Sequence, residues 1–398
     1  MIAVGIDVSK SKSTVAVIDS DGQILHKPRN YNHTLSDMLN LVSLIHSFPD
    51  DVKVAMEATS HYHYPILKTL LDENIYVALI NPYLMKKYGE NSIRRGKTDK
   101  KDAIRIAFYV LEKSYLLKPH TAADQKYADL KFLARQYQQI IMLKTKARMQ
   151  LNNLLDEMMP GVKKLFSSNN APSSTQNLFL DFVEKYESFD RIRNMGEKRF
   201  INSYAKFAAK RHTRNFQYKA LSVYELASDS ITTRSTDLST LLALHQCISI
   251  LRQCTVSSNN LLDQMHSIAF TMPEYPIIRA MNGVGFKLAP QLIAEIGDVR
   301  RFTSAKALNA YAGNDAPPYQ SGNFEGTNRH ISKRGSAYLR KLCYEVMLAL
   351  KLHKKEEDPV YQFMIKKESE GKPKNVAKMA GVNKFLRIYY ARVMELYQ

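Results

Sequence analysis

The sequence predicts an α/β domain followed by two mostly helical regions. Three observations indicate this architecture. Short apolar runs with alternating periodicity open the chain, a long helical stripe of apolar residues follows, and short helices separated by turns continue to the end. The 398 residues suit two or three domains of the usual size. We predict an α/β domain at 1–120, a helical arm at 121–270 and a C-terminal domain at 271–398.

The first domain is predicted to contain five strands in the order βββ-α-β-α-β, followed by a helix. Alternating apolar residues and a Ser-Asp-Gly turn favour the first three strands. Helical spacing of apolar residues behind a capping Thr34 favours the first helix. The strands are expected at 2–6, 13–19, 23–26, 52–55 and 76–80, and the helices are expected from Thr34, Tyr64 and about Thr98.

The middle region is predicted to form a coiled-coil-like arm. One apolar stripe runs from Tyr127 to Leu155, and a second runs from Leu238 to Ile268. The segment from Ser167 to Gln176 is rich in Ser, Asn and Pro, which favours a loop. A helical hairpin is the simplest arrangement of these parts.

Charge indicates the class of partner. The chain has 57 Lys and Arg residues against 38 Asp and Glu, a net charge of +19, and the excess grows towards the C-terminal region. A polyanionic partner is therefore expected. No window approaches the roughly 18 apolar residues of a membrane span, and no secretory signal is recognisable, so a cytoplasmic location is the default. Three cysteines without paired spacing favour neither a disulfide framework nor a zinc site.

Four acidic residues of the first domain form a candidate metal site. Asp7 ends the first strand, Glu57 follows the fourth, and Asp99 and Asp102 lie one turn apart at a helix start. If the first and fourth strands are neighbours, these carboxylates can meet around a divalent cation that also binds phosphate. Taken singly, each has an ordinary explanation as a turn residue, a solvated charge or an acid favoured by the helix dipole.

Cations surround the two helical aspartates. They would keep these carboxylates ionised and could hold a backbone phosphate beside a metal ion. We therefore predict nucleic-acid contacts from Arg94, Arg95, Lys97, Lys100 and Lys101.

Two further segments are candidate nucleic-acid contacts. Gly283 and Gly285 stand between helical segments in the pattern of a helix-hairpin-helix, whose glycines let the backbone approach a phosphate. A plain helix–helix corner is about equally consistent with this spacing. The polar stretch at 314–335 and the helix after it add the candidate cations Arg329, Lys333, Arg334 and Arg340. Flanking glycines and few apolar residues predict an exposed loop around the basic residues 329–335.

Three N-terminal motifs resemble those of a known family. VGIDVSK at 4–10, MEATS at 56–60 and RRGKTDKKDAIRIA at 94–107 are similar to the DEDD-type transposases of insertion sequences, which include the Piv DNA invertase. The resemblance implies a RuvC-like, RNase H-like first domain and assigns Asp7, Glu57, Asp99 and Asp102 to a tetrad that binds Mg²⁺. It also implies donor and target DNA, a structured bridge RNA, and a homodimer that assembles into a tetramer.

The C-terminal region is similar to the same family. RFTSAKALNAYAG at 301–313 and PPYQSG at 317–322 match a domain in which the serine of a Gln-Ser-Gly element is the nucleophile, which implies Ser321 here. Without the resemblance Ser321 is an ordinary turn serine, and Ser332 is its nearest rival. The sequence departs from the family at 314–316, Asn-Asp-Ala, where an apolar run is expected.

The sequence thus predicts a site-specific DNA recombinase that works through a phosphoserine intermediate. Two alternatives stay open. A metal-dependent junction nuclease would use water as the nucleophile and leave Ser321 idle. A non-catalytic protein that binds nucleic acid would use the acidic residues for structure alone.

Overall fold

A computed structural model describes most of the chain. The described residues are 1–49, 51–57, 62–80, 82–89, 98–120, 125–166, 177–211, 216–316, 320–321, 324–325 and 330–397. Backbone contacts divide the chain into two compact units, Met1–Ala123 and Asp124–Gln398. The division at 123 lies close to the predicted boundary at 120, whereas the contacts give no division near 270.

The first unit is built on a five-stranded mixed sheet. Its strand order is β3-β2-β1-β4-β5, in which β1 to β3 are antiparallel neighbours and β4 and β5 run parallel to β1. This topology confirms the predicted strand sequence, the α/β class of the first domain and the expected pairing of the first strand with the fourth. The strands are β1 Ile2–Val8, β2 Lys12–Ile18, β3 Ile24–Asn32, β4 Val52–Glu57 and β5 Val77–Ile80.

Helices cover both faces of this sheet. One apolar core joins the face that carries Val4 and Ile6 to α1 and α2, and the other joins the face that carries Ala3 and Ala55 to α4. The predicted cap of α1 is confirmed, because the Thr34 side chain accepts a hydrogen bond from the backbone amide of Asp37. The helices are α1 Leu35–His46, α2 Tyr64–Asp72, α3 Pro82–Gly89 and α4 Asp99–Lys113.

The second unit contains a long pair of antiparallel helices. α5 (Gln125–Met158) and α11 (Leu238–Ala269) pack along each other, as the predicted hairpin requires. The start of α5 packs near the end of α11, and the end of α5 packs near its start. The finer coiled-coil packing stays a prediction. The loop predicted at 167–176 lies outside the described residues.

Short helices fill the sequence between and after these two. Between them lie α6 Val162–Leu165, α7 Leu178–Tyr186, α8 Phe189–Met195, α9 Glu197–Ala209 and α10 Phe216–Asp229. After them lie α12 Tyr275–Arg279, α13 Leu288–Ile296, α14 Ala305–Tyr311, β6 Gln320–Ser321, β7 Phe324–Glu325, α15 Ala337–His353, α16 Pro359–Ser369 and α17 Lys374–Met394. In the described part of the chain, no helix is long and apolar enough to cross a membrane.

Two apolar cores stabilise the second unit. One lies at the far end of the arm and includes Leu151, Phe182, Phe200 and Ile248. The other lies in the C-terminal part and includes both the start of α5, at Tyr127 to Tyr137, and the end of α11. The predicted boundary at 270 therefore falls within a continuous core, because each long helix contributes side chains to both clusters.

Candidate active site and nucleic-acid interface

Gly5 sets the distance between α4 and the sheet. A Cβ atom at Gly5 would lie 2.2 Å from the Ala103 carbonyl oxygen and 2.3 Å from the Ala107 nitrogen. Only a residue without a side chain permits the helix backbone to approach the strand this closely. The start of α4 is therefore fixed against the middle of β1, two residues before Asp7.

The first turn of α4 lies at the end of the sheet where β1 and β4 finish. Phe108, in the later part of the helix, contacts Gly22 in the turn at the opposite end. Beyond the helix, the Tyr76 hydroxyl donates to the Leu117 carbonyl at 3.1 Å, which holds the chain near the start of β5. The helix therefore runs antiparallel to β1, and its N-terminus faces the carboxyl ends of the parallel strands.

Asp7 and Glu57 lie at this same end and on the face that α4 covers. The parallel register pairs Ile6 with Met56, so Asp7 and Glu57 occupy neighbouring positions where the strands end. Because side chains alternate along a strand, Asp7 shares the face of Ala3, and Glu57 shares the face of Ala55. Both residues are half-buried. The structure thus places both acids as the strand prediction required.

Asp99 and Asp102 occupy the first turn of α4. Thr98 caps the helix by accepting from the Lys101 amide at 3.3 Å. Asp99 is exposed, whereas the Asp102 carboxylate accepts from the Arg105 guanidinium at 2.6 Å and is 16% exposed. Arg105 was not among the predicted site residues. Its spacing of three from Asp102 on a helix permits this ion pair without requiring it.

The four carboxylates share one end of one face but do not form a closed metal cage. Across the described ranges, which contain all four, no group of three or more His, Cys, Asp or Glu side chains is close enough to hold an ion. Their chemistry nevertheless fits a hard divalent cation, because all four donors are carboxylate oxygens. Asp102 is instead paired with Arg105, and Asp99 is exposed to solvent.

The predicted cations near the tetrad divide into two groups. Lys100 and Lys101 are exposed on the first turn of α4. Arg94, Arg95 and Lys97 lie outside the described residues, so their contacts stay a prediction.

Ser321 lies in a two-stranded antiparallel hairpin. It belongs to β6 and pairs with Phe324 of β7. At the base, the Ser332 amide donates to the Asp315 carbonyl at 2.7 Å and the Lys333 amide donates to the Gly313 carbonyl at 3.0 Å. These two hydrogen bonds join the backbone before Ser321, at 313–315, to the backbone after it, at 332–333. Asn314, at the base, is buried, whereas Lys333, Arg334 and Gly335 of the basic stretch predicted as an exposed loop are exposed.

Ser332, the rival nucleophile, serves the base of this hairpin. Its hydroxyl donates to the Asp315 carboxylate and accepts from the Arg334 amide. The polar residues that depart from the family pattern at 314–316 therefore make hydrogen bonds in this part of the structure. Asp315 binds Ser332, and the Asn314 amide donates to the Asn309 side chain and to the Met379 carbonyl, both at 3.1 Å.

The predicted C-terminal cations surround the same base. Lys333 and Arg334 are exposed, and Lys333 adopts a positive φ of 54°. The Arg340 guanidinium donates to the Ala312 carbonyl at 2.9 Å, so it also stabilises the turn after α14. Arg329 lies outside the described residues.

The two glycines between α12 and α13 have different surroundings. Gly283 has a φ of 78°, and a Cβ there would lie 2.9 Å from the Val346 carbonyl oxygen of α15. Its lack of a side chain is therefore explained by packing and backbone conformation. Gly285 is exposed with open space around it. Phosphate binding by this turn, and the helix-hairpin-helix itself, stay predictions.

Two protein-family models match the chain. A model described as a transposase of the DEDD type found in IS110 matches residues 4–160, which include the whole tetrad. A second, described as the transposase IS116/IS110/IS902 family, matches 275–362, which include Ser321. Together the two matches span more than half of the chain. The chain belongs to the IS110/IS116 family of transposases.

Known proteins resemble this transposase along most of its length. The pilin gene-inverting protein of Moraxella bovis is 22% identical over 394 residues, which are 98% of this chain and 95% of that protein. An insertion element IS116 protein of Streptomyces clavuligerus, described as an uncharacterized 44.8 kDa protein, is 22% identical over 380 residues, covering 93% and 89%. RuvC from T. thermophilus, solved with a Holliday junction substrate, aligns with a TM-score of 0.23 at 16% identity, covering 30% of this chain and 99% of RuvC.

Membership of the family identifies the activity at a general level. The chain is a DNA transposase, and the N-terminal family match spans the four carboxylates. The second unit carries the other matched region.

Proposed function

We propose that this transposase moves an insertion sequence by site-specific recombination in which Ser321 forms a covalent phosphoserine with DNA. The observation that carries the proposal is the hairpin in which Ser321 of β6 pairs with Phe324 of β7, above a base that includes Lys333 and Arg334. A paired hairpin fixes the backbone of a nucleophile, and neighbouring cations favour the approach of a phosphodiester.

The proposed reaction conserves the number of phosphodiester bonds. The Ser321 hydroxyl attacks a DNA phosphorus, the bond to one deoxyribose oxygen breaks, and that oxygen leaves with a proton as a hydroxyl. A hydroxyl of the second DNA then attacks the phosphoserine and returns the serine to its starting state. Because each step exchanges one phosphoester for another, the reaction requires no external energy source.

We further propose that Asp7, Glu57, Asp99 and Asp102 hold a divalent cation, Mg²⁺. When bound, the cation would supply Lewis-acid stabilisation of charge on the scissile phosphate. Support comes from the position of the four carboxylates at one end of one sheet face. The exposed Lys100 and Lys101 would bind the adjoining phosphates.

A bridge RNA and a tetramer complete the proposal. Both come from the resemblance of the sequence motifs, and the +19 charge supports contact with nucleic acid in general. Sequencing of RNA that copurifies with the protein tests the first. The mass of the complex with DNA tests the second.

Substitution of Ser321 tests the covalent mechanism. Ser321→Ala should abolish strand cleavage and the covalent protein–DNA adduct on a denaturing gel, whereas Ser332→Ala should retain the adduct. Asp7→Asn should lower cleavage by about 100-fold or more. Asp19→Asn is its matched control, because Asp19 accepts backbone amides in the turn at the opposite end of the sheet.

A junction nuclease that uses water is the second candidate function. The carboxylates lie in the first unit, which has its own apolar cores, whereas Ser321 lies in the second. A metal-dependent site could therefore work without the serine. Cleavage that persists in Ser321→Ala and disappears in Asp7→Asn would favour this function and end the phosphoserine proposal.

A further inference from the structure

An exposed phenylalanine stands at the turn between α12 and α13. Phe286 keeps 47% of its surface open to solvent, although it follows the exposed Gly285 in a turn where a polar residue would cost less. Its ring stacks on the buried His266 ring of α11, with centroids 3.4 Å apart and planes 20° apart. The buried His266 ring therefore covers one face of the Phe286 ring, and the other part of the ring is open to solvent.

The support beneath Phe286 is well fixed. The Nδ1 atom of His266 and the Tyr275 hydroxyl share a hydrogen bond of 3.0 Å. The Tyr275 ring also packs edge-on against the His266 ring. Burial lowers the pKa of His266 below its usual value, and the positive charge of Arg279 acts in the same direction. A neutral, buried imidazole therefore backs the exposed ring, and Phe270, 66% exposed, lies beside His266.

Cations converge on the same turn. Arg279 donates to the Val284 carbonyl at 2.8 Å, and the exposed Lys287 is the residue directly before α13. The nearby acidic group that acts on His266 is Asp263 of α11. The turn therefore combines an aromatic ring with positive charge.

The arm brings two more cations to this turn. α13 runs antiparallel to α5, because Glu295 pairs with Arg135 at 2.9 Å and Gln291 accepts from Gln138 at 2.6 Å. Continuing this register by one helical turn places Lys287 opposite residues 141–142 of α5. Lys144 and Arg148 follow further along α5, one turn apart on the same face.

Electrostatics agrees with that register. Burial lowers the pKa of Lys144, and the charges of Arg148 and Lys287 lower it further. A phosphate bound at this place would interact favourably with all three cations.

We propose that this surface, the Phe286 platform, binds an unpaired stretch of nucleic acid, with a base stacked on Phe286 and the adjoining phosphates on Lys287, Lys144 and Arg148. We define the platform as these four residues. Its chemistry is that of single-strand recognition, in which aromatic rings take bases of any sequence and cations follow the backbone.

A duplex fits these observations less well. In a duplex the base faces are stacked inside the helix and do not reach a ring on the protein surface, whereas an unpaired base offers its face directly. RNA and DNA share this chemistry, so the ring alone does not distinguish the sugar. The proposal goes beyond the Ser321 chemistry, because binding can be measured without cleavage.

Binding of short labelled oligonucleotides to the full-length protein tests the platform. Fluorescence anisotropy with oligo-dT, oligo-U and a duplex would compare the wild type with Phe286→Ala and Phe286→Trp. We expect Phe286→Ala to weaken single-strand binding at least about fivefold while duplex binding stays the same, and Phe286→Trp to restore it. Comparison of oligo-dT with oligo-U identifies the sugar that the platform prefers.

The controls separate stacking from loss of structure. Tyr115→Ala removes another aromatic side chain, 75% exposed, from the first unit and should leave binding unchanged. Lys287→Ala should reduce the salt dependence of single-strand binding by about 0.7 in the logarithmic slope, the contribution of one phosphate. Single-strand affinity that changes less than fivefold in a folded Phe286→Ala protein, or that falls equally for the duplex, would overturn the platform.

Discussion

At the scale of single residues, the sequence predicted the positions of acids better than their partners. Asp7 and Glu57 were identifiable because each ends an apolar strand, and strand ends are visible in a sequence. Asp102 was identifiable too, but its ion pair with Arg105 was not, because a spacing of three permits a contact without requiring it. The roles of Asp315 and Ser332 at the hairpin base could not be predicted, since they depend on a pairing across a loop.

Gly5 provides a prediction at this scale. Gly5→Ala should destabilise the protein by about 1–3 kcal/mol or more, because its Cβ would overlap the backbone of α4. The displaced helix would also move Asp99 and Asp102, so strand cleavage should fall. Thermal unfolding measures the loss. Gly285→Ala is the matched control for stability, because open space surrounds it, and an equal loss in both variants would contradict the packing argument.

At the scale of elements, the differences between prediction and structure have local causes. β3 continues to Asn32, six residues beyond its predicted end, because an exposed edge strand tolerates polar residues as long as β2 pairs with it. The sequence also predicts a last helix from Gly381 to Tyr397, whereas α17 begins at Lys374. That glycine lies inside the helix, where a Cβ would come within 2.7 Å of Met364, so it marks close packing and not a helix start.

The contact between α5, α13 and α15 supports a prediction at this scale. Arg135 of α5 pairs with the buried Glu295 of α13 and lies 3.7 Å from the centre of the Tyr338 ring of α15, and Glu295 also accepts from Ser336, the cap of α15. Arg135→Ala leaves a buried carboxylate without its cation. We expect a loss of about 3–5 kcal/mol in the free energy of unfolding, measured by denaturant titration.

An exposed ion pair provides the comparison for that variant. Arg300 pairs with Asp298 at 2.8 Å, and the Arg300 side chain is 56% exposed. Arg300→Ala should therefore destabilise the protein far less than Arg135→Ala. Similar losses in the two variants would mean that burial of Glu295 does not determine the energy.

At the scale of the whole molecule, composition predicted the partner class and apolar patterning predicted the main division. The boundary near 120 follows from the end of the strand pattern, and the contacts divide the chain at 123. The continuity of the C-terminal core across 270 could not be predicted. Tyr127 and Leu262 lie in two different apolar stripes of the sequence, and only the tertiary fold brings them into one core.

Histidines in both units predict how stability depends on pH. Burial lowers the pKa of His26, His33, His120 and His266 below the usual 6.5. The folded state therefore binds fewer protons than the unfolded state near that pH. The free energy of unfolding should therefore have its full value above pH 6.5. It should fall as the pH drops from 6.5 through the lowered pKa values of the folded state. The melting temperature, measured between about pH 7 and pH 5 at constant ionic strength, should decrease, and a constant or rising value would contradict this assignment.

Net charge makes the second prediction at this scale. With +19 on the chain, nucleic-acid affinity should fall about 10³-fold between roughly 50 and 200 mM salt if about six phosphates are contacted. Titration of a labelled duplex at several salt concentrations gives the slope directly. A flat response would remove the electrostatic basis for binding.

The continuity of α5 constrains how this family of chains can change in length. Its 34 residues form one rod that enters two separate cores, one around Leu130 and the other around Leu151. One residue inserted between them would turn one core about 100° relative to the other, since an α-helix has 3.6 residues per turn. Only insertions close to whole turns, such as seven residues, would keep the apolar faces of α5 directed at both cores. Evolution can therefore lengthen this helix only in discrete steps.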